Sequence, residues 1–327
     1  METTQVNACW RKSVLRNAWD LLLYGLYFIY PFKKIKCPSG CKVVGKTVLI
    51  TGATQGIGKS TAIELAKRGA KLILACRNID QANQLAQQIR ETTGADVTTI
   101  HLDLDSLQSV KKCANTILGS VDRLDILINN AGMAGADERK VTNDGFEKVM
   151  QVNHIGPFLL TKLLLPLVKS SSPSRIIFTA SSMHRILYKL DLEDLNSEKF
   201  YHSRNAYAKS KLANILTTIY LSSMVKDSGI TVNSFCPGPV NTNLASDLTG
   251  PIMAAIFKPF ESIIYRTPDQ GAQTLIYLAV EESLKSVTGL HFMDCKPIKT
   301  NELGSDFKLA IALWETTEKL LNSQENL

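Results

Sequence analysis

Short runs of consecutive apolar residues alternate along the chain with longer stretches in which apolar positions recur every three or four residues. The runs are Thr47–Thr51 (TVLIT), Lys71–Cys76 (KLILAC), Val97–Leu102, Asp125–Ile128, Arg175–Ala180, Ile230–Cys236 and Val287–Met293. Helical patterns separate them: up to Arg68, over 79–92, from about Ser106, over 143–169, over 205–226 and near 306–321. Runs without polar alternation are buried on both faces, so the order predicts a parallel sheet covered by helices on each side. Right-handed crossovers then give an α/β, doubly wound, mostly parallel sheet of about seven strands, of the Rossmann type. Residues 45–327 fit one domain, with no internal repeat and no low-complexity tract.

Composition agrees with a globular body. Of 327 residues, 45% are hydrophobic and 20% charged, which excludes a disordered chain, a collagen-like fibre and a polytopic membrane protein. Seven scattered cysteines point to a reducing compartment rather than a disulfide scaffold. The net charge of +7 is unevenly placed: residues 1–46 carry eight Lys/Arg and two Asp/Glu, and the remaining 281 are nearly neutral. A nucleic-acid reader would carry its charge on the folded body, so that partner is not expected.

The first 44 residues form a basic and apolar segment. Leu21–Phe32 holds 12 uncharged residues, short of the roughly 20 that span a bilayer. Extending it back to Val14 takes in Arg16 and Asp20. Trp19, Tyr24, Tyr27 and Tyr30 suit an interfacial belt. The reading is a membrane anchor and linker, spanning or lying in the interface, with a helix packed on the protein's own surface as the alternative. Lys33, Lys34, Lys36, Lys42 and Lys46 outnumber Arg11, Lys12 and Arg16, which leaves the body on the cytosolic face.

Where the first strand hands over to a helix, the chain reads Thr51-Gly-Ala-Thr-Gln-Gly-Ile-Gly58. Gly52 permits a tight turn, Gly56 lets backbone approach a pyrophosphate, and Gly58 allows helix to pack closely on strand. Free N–H groups at a helix start then favour phosphate.

With this turn, the DLD at 103–105, NNAG (129–132), Asn153, Ser182, the YAKSK of 207–211 and PGPVNT (237–242), the chain from about residue 44 onward resembles the short-chain dehydrogenase/reductase family. The wording LILACRN, VNHIGPFLLT, SRIIFTASS, DLEDLNSEKF and AYAKSKLANIL is similar to its microsomal, NADP-dependent retinol-dehydrogenase-like branch. The resemblance implies an oxidoreductase that moves a hydride between NADP(H) and a hydrophobic alcohol or carbonyl. It also implies the endoplasmic reticulum membrane as its place.

Tyr207 and Lys211 lie four apart, on one helix face. A free tyrosine has a pKa near 10, and a neighbouring ammonium is expected to lower it. Tyr207 would then give a proton to a carbonyl or take one from an alcohol. The resemblance implies that Lys211 also holds the nicotinamide ribose and that Asn153 orders a water in a relay to Lys211. It makes Ser182, the second of the Ser181-Ser182 pair, the hydroxyl on the substrate oxygen. It assigns cofactor binding to Gly52, Gln55, Gly56, Ile57, Gly58, Asn129, Ala131, Gly132, Tyr207 and Lys211. Asp103 and Leu104 would flank the adenine, and Pro237, Gly238, Val240 and Thr242 would line the nicotinamide side.

Cofactor choice is legible at the end of the second strand. NAD enzymes place a carboxylate there; this chain has Arg77, with Lys59 nearby, which favours the 2′-phosphate of NADP(H). Metal and nucleophile chemistries find no support. Cys37-x3-Cys41 lacks a downstream ligand pair, the five histidines form no ligand motif, and no G-x-S-x-G elbow is present. The apolar stretch 243–266 is expected to act as a substrate lid, and the insert His184–Ser203 to shape the entrance. Three alternatives remain: an idle NADP-binding scaffold or sensor, an epimerase, and a reductase of steroid or other ketones. Homo-oligomerisation stays open.

Overall fold

The computed structural model describes residues 35–241 and 265–325. The apolar runs become strands β1 (Thr47–Thr51), β2 (Lys71–Cys76), β3 (Val97–His101), β4 (Ile126–Asn129), β5 (Ser174–Thr179), β6 (Ile230–Phe235), β7 (His291–Met293) and β8 (Lys296–Pro297). They make one eight-stranded sheet in the order β3-β2-β1-β4-β5-β6-β7-β8. All neighbours are parallel except the last pair, β7 with β8. The chain runs outward from β1 to β3 and then returns to start β4 beside β1. That reversal opens a crevice at the carboxyl ends of the strands, where ligands of such sheets bind.

The helices are α1 (Gly56–Lys67), α2 (Ile79–Thr93), α3 (Leu107–Leu118), a composite α4, α5 (Ser203–Met224), α6 (Pro268–Val280) and α7 (Phe307–Glu325). Successive strand residues point to opposite faces. Leu49, Leu127, Ile176 and Phe178 therefore pack against α3, α4, α5 and α7 through Val110, Phe158, Leu164, Leu212 and Leu313. Val48, Ile50, Leu72, Leu74 and Ile128 pack against α1, α2 and α6 through Leu65, Leu85, Ile89 and Leu275. Each such side chain contributes about 1.5–3 kcal/mol by leaving water.

Three elements differ from the sequence reading. The helix expected over 143–169 begins at Lys148, because the Glu147 carboxylate accepts from the N–H groups of Val149 and Met150 at 2.9 and 2.8 Å. Composite α4 joins α-helical Lys148–Met150, a π-helical turn Gln151–Ile155 and α-helical Gly156–Ser170. The strand expected over 287–293 begins at His291. Before it, Gly289 N–H donates to Val232 O at 2.7 Å and Ser234 N–H to Leu290 O at 3.0 Å, while at 287 and 288 side chains take part: Asn233 Nδ2 donates to Val287 O at 2.7 Å, and Val232 N–H donates to Thr288 Oγ1 at 2.9 Å. The eighth strand was not expected. It follows a two-residue turn at Asp294 and Cys295, both at positive φ (54° and 59°), the conformation of a tight hairpin.

Residues 37–44 pack on the body. Cys37 is buried and its N–H donates to Gln273 Oε1 at 2.8 Å. Arg68 donates to the carbonyls of Ser39 and Cys41, both at 2.9 Å. Of the anchor and linker expected over residues 1–44, residues 1–34 lie outside the described residues. No helix among the described residues is long and apolar enough to cross a membrane.

Candidate active site

The glycine turn and the NNAG segment are built as one unit. Thr51 Oγ1 accepts from the N–H groups of Asn130 and Ala131, both at 3.0 Å. Asn130 Nδ2 donates back to Thr51 O at 2.9 Å and to Gly52 O at 3.2 Å. Gly52 sits at φ +67°, and a Cβ on it would lie 2.9 Å from Ala131 Cα. A Cβ on Gly58 would lie 2.6 Å from Asn130 Nδ2 and would also strike Gly52 O. So Gly58 makes room for the turn's own backbone and the Asn130 amide, in addition to the helix packing expected of it. Asn129 is buried and donates to Thr161 Oγ1 at 2.9 Å, fixing β4 to α4. Asn130, which the sequence reading passed over, does more of the joining than its neighbours.

Helix α1 starts here with Gln55 as N-cap. That side chain makes no capping hydrogen bond, and the first turn, which includes Gly56, Ile57 and Gly58, holds no acidic residue. The unpartnered helix start fits a pyrophosphate. Arg77, just past β2, is exposed and makes no hydrogen bond or ion pair among the described residues. Asp103 accepts from the N–H of Asp105 at 3.0 Å, shaping the turn after β3. Leu104 is buried in the core, 3.1 Å from where a Cβ on Gly156 would stand.

The four candidate catalytic side chains converge at the ends of β5 and β6. Tyr207, Lys211, Ser182 and Asn153 are all buried. Lys211 Nζ stands 5.5 Å from the Tyr207 ring centroid and donates to Thr179 O at 3.3 Å. A Cβ on Gly132 would lie 3.1 Å from Lys211 Nζ and 3.2 Å from Asn153 Oδ1, so a side chain there would crowd both. The Ser181 hydroxyl favours the Tyr207 phenolate. Ser181 Oγ also accepts from Met183 N–H at 3.2 Å. Ser182 Oγ lies 3.0 Å from Cys236 Sγ.

Asn153 owes its place to the π turn. Pro157 has no N–H to give the Asn153 carbonyl, and Asn214 of α5 supplies a donor from Nδ2 at 3.0 Å. The Asn153 side chain pairs with the Met133 backbone, accepting at 2.8 Å and donating at 2.9 Å, and donates to Ser210 Oγ at 2.9 Å. Asn214 also donates to Thr179 O at 3.1 Å. It lies on the Tyr207/Lys211 face, three residues beyond the lysine, a buried amide whose spacing was visible in the sequence. His154 is a satisfied core residue, with Nε2 3.1 Å from Thr317 Oγ1.

Protonation differs from the expectation that an ammonium would lower the tyrosine. Burial pushes the Tyr207 phenol well above its ordinary value, and Cys236 adds to the rise against the Ser181 hydrogen bond. Burial also lowers Lys211 to about 8. Desolvation disfavours both charged forms. The phenol therefore keeps its proton at neutral pH.

Beyond β6, Gly238 takes φ +77°. Arg266 donates to Pro237 O at 2.9 Å and pairs with Asp294 at 2.8 Å. Val240 is buried and bridges to Arg266. Thr242 and nearly all of the 243–266 stretch lie outside the described residues.

The family model for short chain dehydrogenase matches residues 46–251. The chain belongs to the short-chain dehydrogenases/reductases. Within the family its relatives mark the retinol-dehydrogenase-like branch. The chain is 42% identical over 292 residues to retinol dehydrogenase 13 of Homo sapiens, covering 87% of each chain. It is 41% identical over 289 residues to retinol dehydrogenase 14 of Mus musculus, covering 85% of this chain and 86% of that one. Among solved structures, an uncharacterized protein from Mycobacterium paratuberculosis aligns with TM-score 0.70 and 31% identity, over 87% of this chain and 96% of that one. A short chain dehydrogenase from Escherichia coli CFT073, solved with NADPH, aligns with TM-score 0.63 and 27% identity, over 79% of this chain and 100% of that one. As a short-chain dehydrogenase/reductase the protein is an oxidoreductase whose fold binds a nicotinamide dinucleotide.

Proposed function

We propose that this chain is an NADP(H)-dependent oxidoreductase that interconverts a hydrophobic alcohol and its aldehyde or ketone, retinol/retinal-like or another long-chain or isoprenoid aldehyde. The convergence of Asn153, Ser182, Tyr207 and Lys211 beside the glycine turn carries the reading. The glycine turn and the NNAG segment would hold NADP(H), with Arg77 toward the 2′-phosphate, and the bound cofactor would supply or accept the hydride. Tyr207 gives its phenolic proton to the substrate oxygen during carbonyl reduction and takes it back during alcohol oxidation. The Ser182 hydroxyl holds that oxygen as negative charge develops. Lys211 keeps the phenol oriented and exchanges protons behind it, with Asn153 and an ordered water as the route onward.

The hydrophobic substrate class rests on the names of the relatives and on the apolar composition of 243–266. The insert after Ser182 is fastened rather than loose. Asp194 accepts from the N–H groups of Glu198 and Lys199 at 2.7 and 2.9 Å, and Lys209 donates to Asp194 O at 3.1 Å. It supports a shaped entrance. The basic and apolar N-terminus supports an anchor in the endoplasmic reticulum membrane, with the body facing the cytosol.

The test is turnover of purified protein with NADPH and a panel of short polar ketones, medium-chain and long-chain aldehydes, all-trans-retinal and a steroid ketone. We expect the long apolar aldehydes to have the highest kcat/KM. No net NADPH consumption with any of them would favour a scaffold or an epimerase instead. Better kcat/KM for hydroxy acids or sugars would remove the hydrophobic-substrate reading.

A further inference from the structure

Ser182 is held in a sulfur cradle that the catalytic reading does not use. Cys236 follows β6 directly and is 2% exposed. Its sulfur accepts from the Ser182 N–H at 3.2 Å and from the Gly238 N–H at 3.4 Å, and lies 3.0 Å from Ser182 Oγ. Its own N–H donates to Phe292 O at 2.8 Å, so neighbouring β7 fixes the thiol's position. On the other side, Ser182 Oγ stands 3.9 Å from Met293 Sδ, an atom that only accepts.

We infer that Cys236 is a positioning residue for Ser182: its thiol donates to the serine oxygen and thereby turns the serine hydrogen toward the substrate oxygen. Two backbone N–H groups already face the sulfur's lone pairs, so its remaining hydrogen-bonding capacity is the S–H donor. The neighbouring acceptor for that donor is Ser182 Oγ. The serine O–H then points away from the thiol, toward the Met293 thioether. A thioether is a weak acceptor, and a substrate carbonyl displaces it readily. Were the serine instead to donate to sulfur, its hydrogen would be tied up and not offered to the substrate oxygen. The inference rests on the reading of Ser182 as the donor to the substrate oxygen.

The test is a double-mutant cycle with NADPH and all-trans-retinal, reading kcat, KM and NADPH affinity, with melting temperature as the check on folding. Cys236→Ala should lower kcat about 10-fold with KM and NADPH Kd within about twofold, a loss confined to the transition state. Cys236→Ser keeps a donor and should recover to within about threefold of the unmodified enzyme. In a Ser182→Ala background, Cys236→Ala should cost less than about twofold more, because the interaction it serves is already gone. Equal losses from Cys236→Ala in both backgrounds, or Cys236→Ser as slow as Cys236→Ala, overturn the inference. So does a Cys236→Ala enzyme that keeps full kcat while Ser182→Ala is slow, an outcome that leaves the serine's role intact. A Ser182→Ala enzyme with full kcat removes the serine's role and the inference together. If Cys236→Ala does not fold, the cycle is read with Cys236→Ser, whose smaller loss should likewise vanish beside Ser182→Ala.

Discussion

The Asn214 side-chain amide donates to the carbonyl of Asn153 at 3.0 Å, standing in for the helical donor that Pro157 lacks. Its second donation, to Thr179 O at 3.1 Å, shares an acceptor with Lys211. One amide thus ties the π turn, the end of β5 and the catalytic helix. Asn214→Leu takes the side-chain donor from the buried Asn153 carbonyl, while Thr179 O keeps Lys211, and we expect a loss of about 1–3 kcal/mol for the carbonyl left unsatisfied. Urea unfolding measures this, and turnover should fall along with it. A change below about 0.5 kcal/mol, the size of an ordinary surface substitution, would show that the amide is dispensable.

Tyr207→Phe removes the proton donor and keeps the ring. We expect turnover to fall at least about 100-fold, the scale of general acid–base catalysis. NADPH affinity should hold, because the backbone cradle is untouched. Single-turnover kinetics beside a fluorescence titration separates the two, and retention of more than half the turnover would refute the assignment.

Arg77, exposed just past β2, is the residue we propose chooses between cofactors. Arg77→Asp should weaken NADPH binding by about 10-fold or more, the worth of one or two charge-assisted hydrogen bonds. NADH binding should hold or improve, since the new carboxylate can accept from the ribose 2′-OH. An unmodified enzyme that prefers NADH would count against the NADP(H) reading.

Acid should destabilise the fold through buried histidines. Burial lowers His154 and His184 to about 4, and His291 falls well below its ordinary value through burial and repulsion from His184. Each is neutral when folded and near 6.5 when unfolded. The unfolded chain therefore binds more protons below about pH 6.5, and stability is lost as pH falls from there toward 4. Each group adds as much as about 1.4 kcal/mol per pH unit across that window. Denaturant unfolding at pH 7.5, 6 and 5 should show the decline, and His154→Gln should flatten it by one histidine's share. A stability that is level from pH 7 to 5 would contradict the sign.

The N-terminal boundary gives a paired expectation. Deleting residues 1–36 should move active protein from the membrane fraction to the soluble one. Deleting residues 1–44 should cost stability as well, because Arg68 loses its acceptors at Ser39 and Cys41 and the burial of Cys37 is lost. Fractionation, thermal melting and NADPH turnover of the two truncations measure both effects. Full-length protein that is soluble in low-salt lysate would rule out the anchor.

The local sequence by itself determined the parallel sheet, the glycine turn and the Tyr207/Lys211 face. Each of these is written in neighbouring residues: apolar runs of strand length, glycines at a strand end, and a four-residue helical spacing. The same locality explains what it missed. The hairpin at Asp294-Cys295 has no Asn-Gly or Asp-Gly to announce it, and β8 is only two residues long. The late start of α4 depended on a carboxylate cap. The Tyr207 pKa direction reversed because a pair spacing reveals the neighbouring ammonium but not the depth of burial around both groups. Asn130, Asn214 and Cys236 reach partners 79, 61 and 54 residues away in the chain, respectively. Only the packed sheet brings those separations to hydrogen-bond distance. Side-chain chemistry can be read along the sequence, whereas desolvation and long-range contact exist only once the strands and helices have closed around the site.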